Sequence, residues 1–185
     1  MPLAWRRSIS AQSGGAEHVI IVPVSFSTQR NAGMSSFEPS RIPAWLAPYR
    51  QRIRANEPLD DGAVHYFLDD YRFETVWKRP LKALEALAPY QTILTPDFSL
   101  YREWPLMLQL WNTYRNRWCG RFWQEQGFTV IPTISWSTAE SYAFCFAGVP
   151  RRSVVAVGTV GIRQEPLAEQ LFIDGFRQMV ARVEP

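Results

Sequence analysis

From Ala63 onward the chain repeats one grammar four times over about 120 residues: a short apolar run, a polar end, then a segment of helical length. The runs are Val64 to Leu68, broken only by His65, then Thr92 to Thr95, Phe128 to Trp136 and Ser153 to Val160. The segments between and after them are Phe73 to Ala88, Trp104 to Gln126, Ser137 to Phe146 and Leu167 to Val183. Short connections between alternating strands and helices predict an α/β fold with a mainly parallel sheet. Such a sheet is either open and doubly wound or part of a β/α barrel, and the pattern leaves both open.

Local signals set the expected boundaries. Pro80 removes a helical hydrogen bond and so kinks or splits its helix, while Gly127 reads as a C-cap. Ser137 and Glu140 have the spacing of a capping box, which predicts a helix start. A helix ends at the C-terminus, where another strand is expected; the domain is then truncated or its last edge comes from a partner chain.

Residues 1–43 read as a divergent lead-in and 44–185 as a single α/β domain. Met1 to Gly15 has Arg6 and Arg7 but no apolar core of a signal peptide. His18 to Phe26 predicts an edge strand or extended arm, because Pro23 cannot donate to a ladder. Residues 27–43 read as loop, and Ala44 to Ala55 as a helix with Arg50, Arg52 and Arg54 on a basic face.

Size makes disulfides unnecessary, so Cys119 and Cys145 are expected as buried, reduced thiols in a cytoplasmic protein. No apolar run has the roughly 18 to 20 residues of a membrane span, so no membrane partner is expected. With only His18 and His65, histidine triads and histidine-rich zinc sites are excluded, and no glycine-rich phosphate loop is present. No particular cofactor is indicated.

In parallel sheets ligands gather at the carboxyl ends of strands. There the sequence places Asp69 and Asp70, then Asp97 and Ser99, then Thr133, Ser135 and Trp136, then Thr159 and Gly161. The acids suit an acid–base pair or oxygen ligation of Mg²⁺, against capping roles for Asp70 and Ser99. Only one of Asp69 and Asp70 is expected to share the environment of Asp97, because successive strand residues face opposite ways. Trp136 reads either as a stacking platform or as a lid on the core.

Within the long helix Met107, Trp111, Tyr114, Trp118 and Phe122 form one stripe, with Arg115 inside its sector. Its guanidinium is expected either to reach solvent or to pair with an acid at the sheet edge.

The ligand expected at this edge is a small phosphate-bearing or sugar-like molecule, bound or hydrolysed. The alternative is a non-catalytic nucleic-acid- or protein-binding module using Arg50, Arg52, Arg54, Arg117, Arg121, Arg151 and Arg152. Its basis is the composition of the cations, 18 arginines against Lys78 and Lys82.

Phe67 to Phe73 (Phe-Leu-Asp-Asp-Tyr-Arg-Phe), Pro96 to Arg102 (Pro-Asp-Phe-Ser-Leu-Tyr-Arg) and Trp111 to Arg117 (Trp-Asn-Thr-Tyr-Arg-Asn-Arg) resemble segments of the domain of unknown function 4417 family. Ile131 to Thr133, Ser135-Trp136 and Val155 to Thr159 with Gly161 extend the resemblance, roughly from Ala63 to the C-terminus. It implies a shared fold and site in an uncharacterised family of bacteria, phages and mobile elements, and supplies no activity. The segment before Ala63 and the missing strand after the last helix depart from the family pattern.

Overall fold

The computed structural model describes residues 19–22, 42–50, 61–159 and 165–185. Four strands, β2 (Trp45–Pro48), β3 (Gly62–His65), β4 (Thr92–Leu94) and β5 (Thr129–Ile131), lie side by side in chain order, all parallel. Beyond β5 the chain stays extended: the Ile134 amide donates to Ala156 and the Ala156 amide to Pro132, both across a parallel bridge. That bridge brings β6 (Val155–Gly158) alongside, and β1 (Val19–Val22) pairs antiparallel with β6. The outer edge of β6, left for a strand after the last helix, is thus occupied by an N-terminal strand.

α1 (Thr75–Lys78), α2 (Pro80–Leu87) and α3 (Leu106–Glu125) belong to the crossovers, and α4 (Pro166–Val183) follows β6. Pro80 splits the expected first helix and starts α2 at its first position, where its missing N–H costs nothing. Gly127, at φ 91°, turns the chain out of α3.

The alternation of side chains along each strand separates two faces. Val64, Ile93, Cys119 and Trp123 form one cluster with Val130, under α1 to α3. Val155 and Val157 pack with Phe176 and Met179 of α4. The opposite face carries Ala63, Phe67, Leu94, Ile131 and Ala156. Parallel strands in sequential order with helices on one face are the arrangement of a partial β/α barrel, not of a doubly wound sheet. The sheet does not close on itself among the described residues.

Two expected helices are replaced. Trp45–Pro48 is a strand rather than the start of a helix over 44–55; Pro48 ends it at the sheet's edge, where no donor is demanded of it. After Ser137 only a 3-10 turn forms, Ala139–Ala143, and its cap residue Thr138 makes no side-chain cap. The Ser137 hydroxyl donates instead to Gln109 Oε1 at 2.5 Å, so the capping box does not assemble.

Candidate functional site

The carboxyl ends of β3, β4 and β5 do not finish in regular ladders, so their buried carbonyls need donors from elsewhere. α3 supplies them. Asn112 Nδ2 donates to Ser99 (2.7 Å), and Asn116 Nδ2 to Pro96 (2.7 Å) and Thr133 (3.2 Å), while Gln109 Nε2 donates to the Trp104 carbonyl just before the helix (2.8 Å). Gly120 belongs to the same face, where a Cβ would come within 2.7 Å of the Thr95 methyl. The buried side of α3 is therefore Gln109, Asn112, Thr113, Arg115, Asn116, Cys119, Gly120 and Trp123.

The aromatic stripe lies on the other side. Met107 is 72% exposed, Tyr114 50% and Trp111 46%, although their spacing suits a core-facing seam. Trp77 of α1 stands edge-on against Trp111, Tyr114 and Trp118, with centroids 5.4, 6.1 and 5.2 Å away. Trp111 stacks on Tyr114 and Trp118 on Phe122, giving a ladder of rings along the helix.

Arg115 sits at the boundary of these two faces and is 8% exposed. Its Nη1 grips both carboxylate oxygens of Glu74 at 2.9 and 3.1 Å, and Nη2 donates to Asn112 Oδ1 at 2.5 Å. The guanidinium lies 3.9 Å from the centroid of the Phe98 ring. Its acid partner is thus on α1's approach, not at a strand end. Glu74 carried no distinguishing signal in the sequence, being one of several exposed-looking acids before a short helix.

The strand-end acids separate. Asp69 is exposed, whereas Asp70 turns inward and accepts both the Ser99 amide (3.2 and 3.3 Å) and hydroxyl (2.8 Å). Asp70 and Ser99 therefore tie two loops together and cap no helix. Partial burial raises the Asp70 carboxyl, against the lowering effects of Ser99 and Arg115. Asp97 accepts the Ser135 hydroxyl, and burial, reinforced by the charge of Asp70, pushes its carboxyl up to about 6. Gly158 leaves room for this arrangement: a Cβ there would fall 2.7 Å from the Phe67 ring and 3.4 Å from Asp97 Oδ2. Among the described residues no three acids, histidines or cysteines are grouped to hold a metal ion.

Thr133 is 1% exposed; its amide donates to Thr95 Oγ1 (2.7 Å), but its own hydroxyl has no partner. It lines, with Ser135, Asn116 and Arg117, a cleft of about 10 Å³, room for one water molecule. Thr159 directly follows β6, and Gly161 lies outside the described residues.

Trp136 closes the α4 side of the core. Its indole N–H donates to the Leu171 carbonyl (3.2 Å), and its ring meets Phe172 and Phe146. Gly175 of α4 makes that fit, since a Cβ there would lie 2.1 Å from the indole nitrogen.

His65 is a core residue. Its Nδ1 accepts the Phe67 amide (3.2 Å), which puts the proton on Nε2, a buried atom with no partner. Burial lowers its pKa to about 4, so it is neutral above that pH. Cys119 and Cys145 are free, and burial raises their thiols to about 12 and about 11, leaving no thiolate nucleophile.

Most of the described arginines of the basic alternative have partners of their own. Arg117 donates to the carbonyls of Ala147 (2.9 Å), Cys145 (2.7 Å) and Thr133 (3.2 Å), and burial lowers it to about 10. Arg121 pairs with Glu125, while Arg151 and Arg152 both meet Glu184. Arg50 lies over the Tyr49 ring, and Arg52 and Arg54 fall outside the described residues. No helix of the described residues is long and apolar enough to cross a membrane.

A domain of unknown function, DUF4417, matches residues 29–185, reaching further towards the N-terminus than the motifs at Phe67, Pro96 and Trp111. The chain is 44% identical over 151 residues to the Gene 1 protein of Mycobacterium phage L5, covering 82% of this chain and 65% of that protein. It is 42% identical over 151 residues to the Gene 1 protein of Mycobacterium phage D29, covering 82% and 55%. The chain thus spans less than two thirds of the length of these relatives. No solved structure matches it.

Proposed function

The chain belongs to the family of the domain of unknown function DUF4417, and on that premise we propose that it is a non-catalytic binding module of a phage or mobile-element protein. The observation that carries this reading is the outer face of α3. Met107, Leu110, Trp111 and Tyr114 are all more than two fifths exposed. Large aromatic and methionine side chains gathered on one surface are the composition of a protein contact. Nucleic acid suits the surface less well, because the arginines near it are spent on Glu74, Glu125 and backbone carbonyls.

The test is the size of the native complex in extracts of cells producing the full chain. Wild-type protein is expected to migrate as an assembly, and Trp111→Glu as a single chain. Identical migration of the two contradicts the reading.

A second reading keeps the strand-end site for a small phosphate-bearing or sugar-like ligand. It rests on the raised Asp97 carboxyl beside Ser135 and on the unpartnered Thr133 hydroxyl. Thermal shifts with a panel of sugar phosphates should then be lost in Asp97→Asn; equal shifts in both proteins rule it out.

A further inference from the structure

We infer that the outer face of α3 is occupied by a second copy of this chain, the two helices packing face to face about a two-fold axis. This rests on the binding-module reading and names its partner. In a two-fold contact the same patch meets itself, so residues near the axis face their own kind and a charge there meets a like charge. From Trp104 to Tyr114 there is no charged residue. The formal charge of the whole chain is only +3, a weak obstacle to self-association.

Size supports the same partner. Trp104, Leu106, Met107, Leu110, Trp111 and Tyr114 are between 38% and 72% exposed. With roughly 150–250 Å² for a large aromatic side chain and somewhat less for an aliphatic one, they expose on the order of 600 Å². A typical monomer's largest apolar patch is about 300–600 Å², and a standard interface buries about 800 Å² per partner. The partly exposed rings of Trp77, Trp118 and Phe122 border the patch and supply the remainder. These rings also hold Trp111 and Tyr114 in place before contact, which reduces the side-chain entropy lost on association.

The experiment places a photoreactive group on the helix, Tyr114→p-benzoylphenylalanine, in the full chain. It is irradiated both as purified protein over a micromolar dilution series and inside the producing cells. The expected product has twice the chain's mass, rises with concentration, and falls at least tenfold when Met107→Glu is added. Leu110→Glu provides a second variant, and sedimentation of the unmodified wild type gives its mass without any substitution.

A wild type that sediments as a monomer throughout, or an adduct with a different protein, overturns the second copy while leaving the binding-module reading standing. An adduct with lipid only, or none in either setting, overturns both.

Discussion

The two faces of α3 are built in opposite senses. The inner one is polar and buried, with Gln109, Asn112 and Asn116 each giving an amide hydrogen to a loop carbonyl. The outer one is apolar and open, with Met107, Trp111 and Tyr114 in one line. Turning the helix over would bury those large side chains, each worth roughly 1.5–3 kcal/mol. It would also take their side-chain donors from the carbonyls of Pro96 and Thr133, which are buried, and of Ser99, at about 1–3 kcal/mol each, and part Arg115 from Glu74. These two sums are comparable, and the further cost of parting the buried Arg115 from Glu74 tips the balance towards the observed orientation.

The strongest way to break this comparison is Arg115→Ala. It leaves Glu74 with only the more distant Lys78 (3.8 Å) and removes the cation from the Phe98 ring, for an expected loss of about 3 kcal/mol in urea unfolding. Replacing both Arg115 and Glu74 with methionine should recover most of that loss. A single-variant loss below about 1 kcal/mol would mean that the pair does not anchor the inner face.

Next comes Asn116→Leu, which keeps the side chain's size and deletes the donor to Pro96 and Thr133. A loss of about 2 kcal/mol is expected by the same measurement, since two buried carbonyls lose a partner. A neutral or stabilising result would show that apolar contact, not hydrogen bonding, sets the face.

The pH dependence of stability sharpens the picture around these loops. Asp97 is raised from 3.8 to about 6, so between those values the folded chain holds a proton that the unfolded chain releases, and stability falls as pH rises. Asp70, also raised, acts in the same direction. His65 is lowered from 6.5 to about 4, so over nearly the same range the unfolded chain holds the extra proton and stability rises with pH. These slopes oppose each other in the wild type. Asp97→Asn should uncover stability that increases from pH 4 to 6.5, and His65→Asn stability that decreases; parallel curves for all three proteins would contradict both assignments.

The smallest effect belongs to the outer face. Met107→Glu should change the unfolding free energy of dissociated protein by no more than about 0.5 kcal/mol, because the side chain is 72% exposed. A loss as large as that of Asn116→Leu would put Met107 in the core.

Much of the architecture was legible from Ala63 onward, because β-branched runs and helical segments alternate there with the expected lengths. The seam of α3 was legible as a seam but not by destination, since periodicity marks a shared face and does not say which side water is on. A complementary signal was present: Gln109, Asn112, Thr113 and Asn116 share the opposite face, and amides spaced along one side of a helix suit a wall of unpaired carbonyls. Trp45–Pro48 was missed because four residues are too few for either period to declare itself. The capping box at Ser137 failed for a tertiary reason, as Gln109 offers the hydroxyl a buried acceptor. Of the strand-end residues, Asp70 with Ser99 and Asp97 with Ser135 do meet across loops, while Arg115 and Trp136 are engaged in separate packing.

The orientation of α3 can be read directly from two methionines. Mild peroxide oxidation of dilute protein, followed by mass spectrometry, compares Met107, 72% exposed, with Met179, 0% exposed on the buried side of α4. The inverted helix requires Met107 to become sulfoxide well before Met179. Met179 reacting as fast as Met107, or both being spared in monomeric protein, would contradict it.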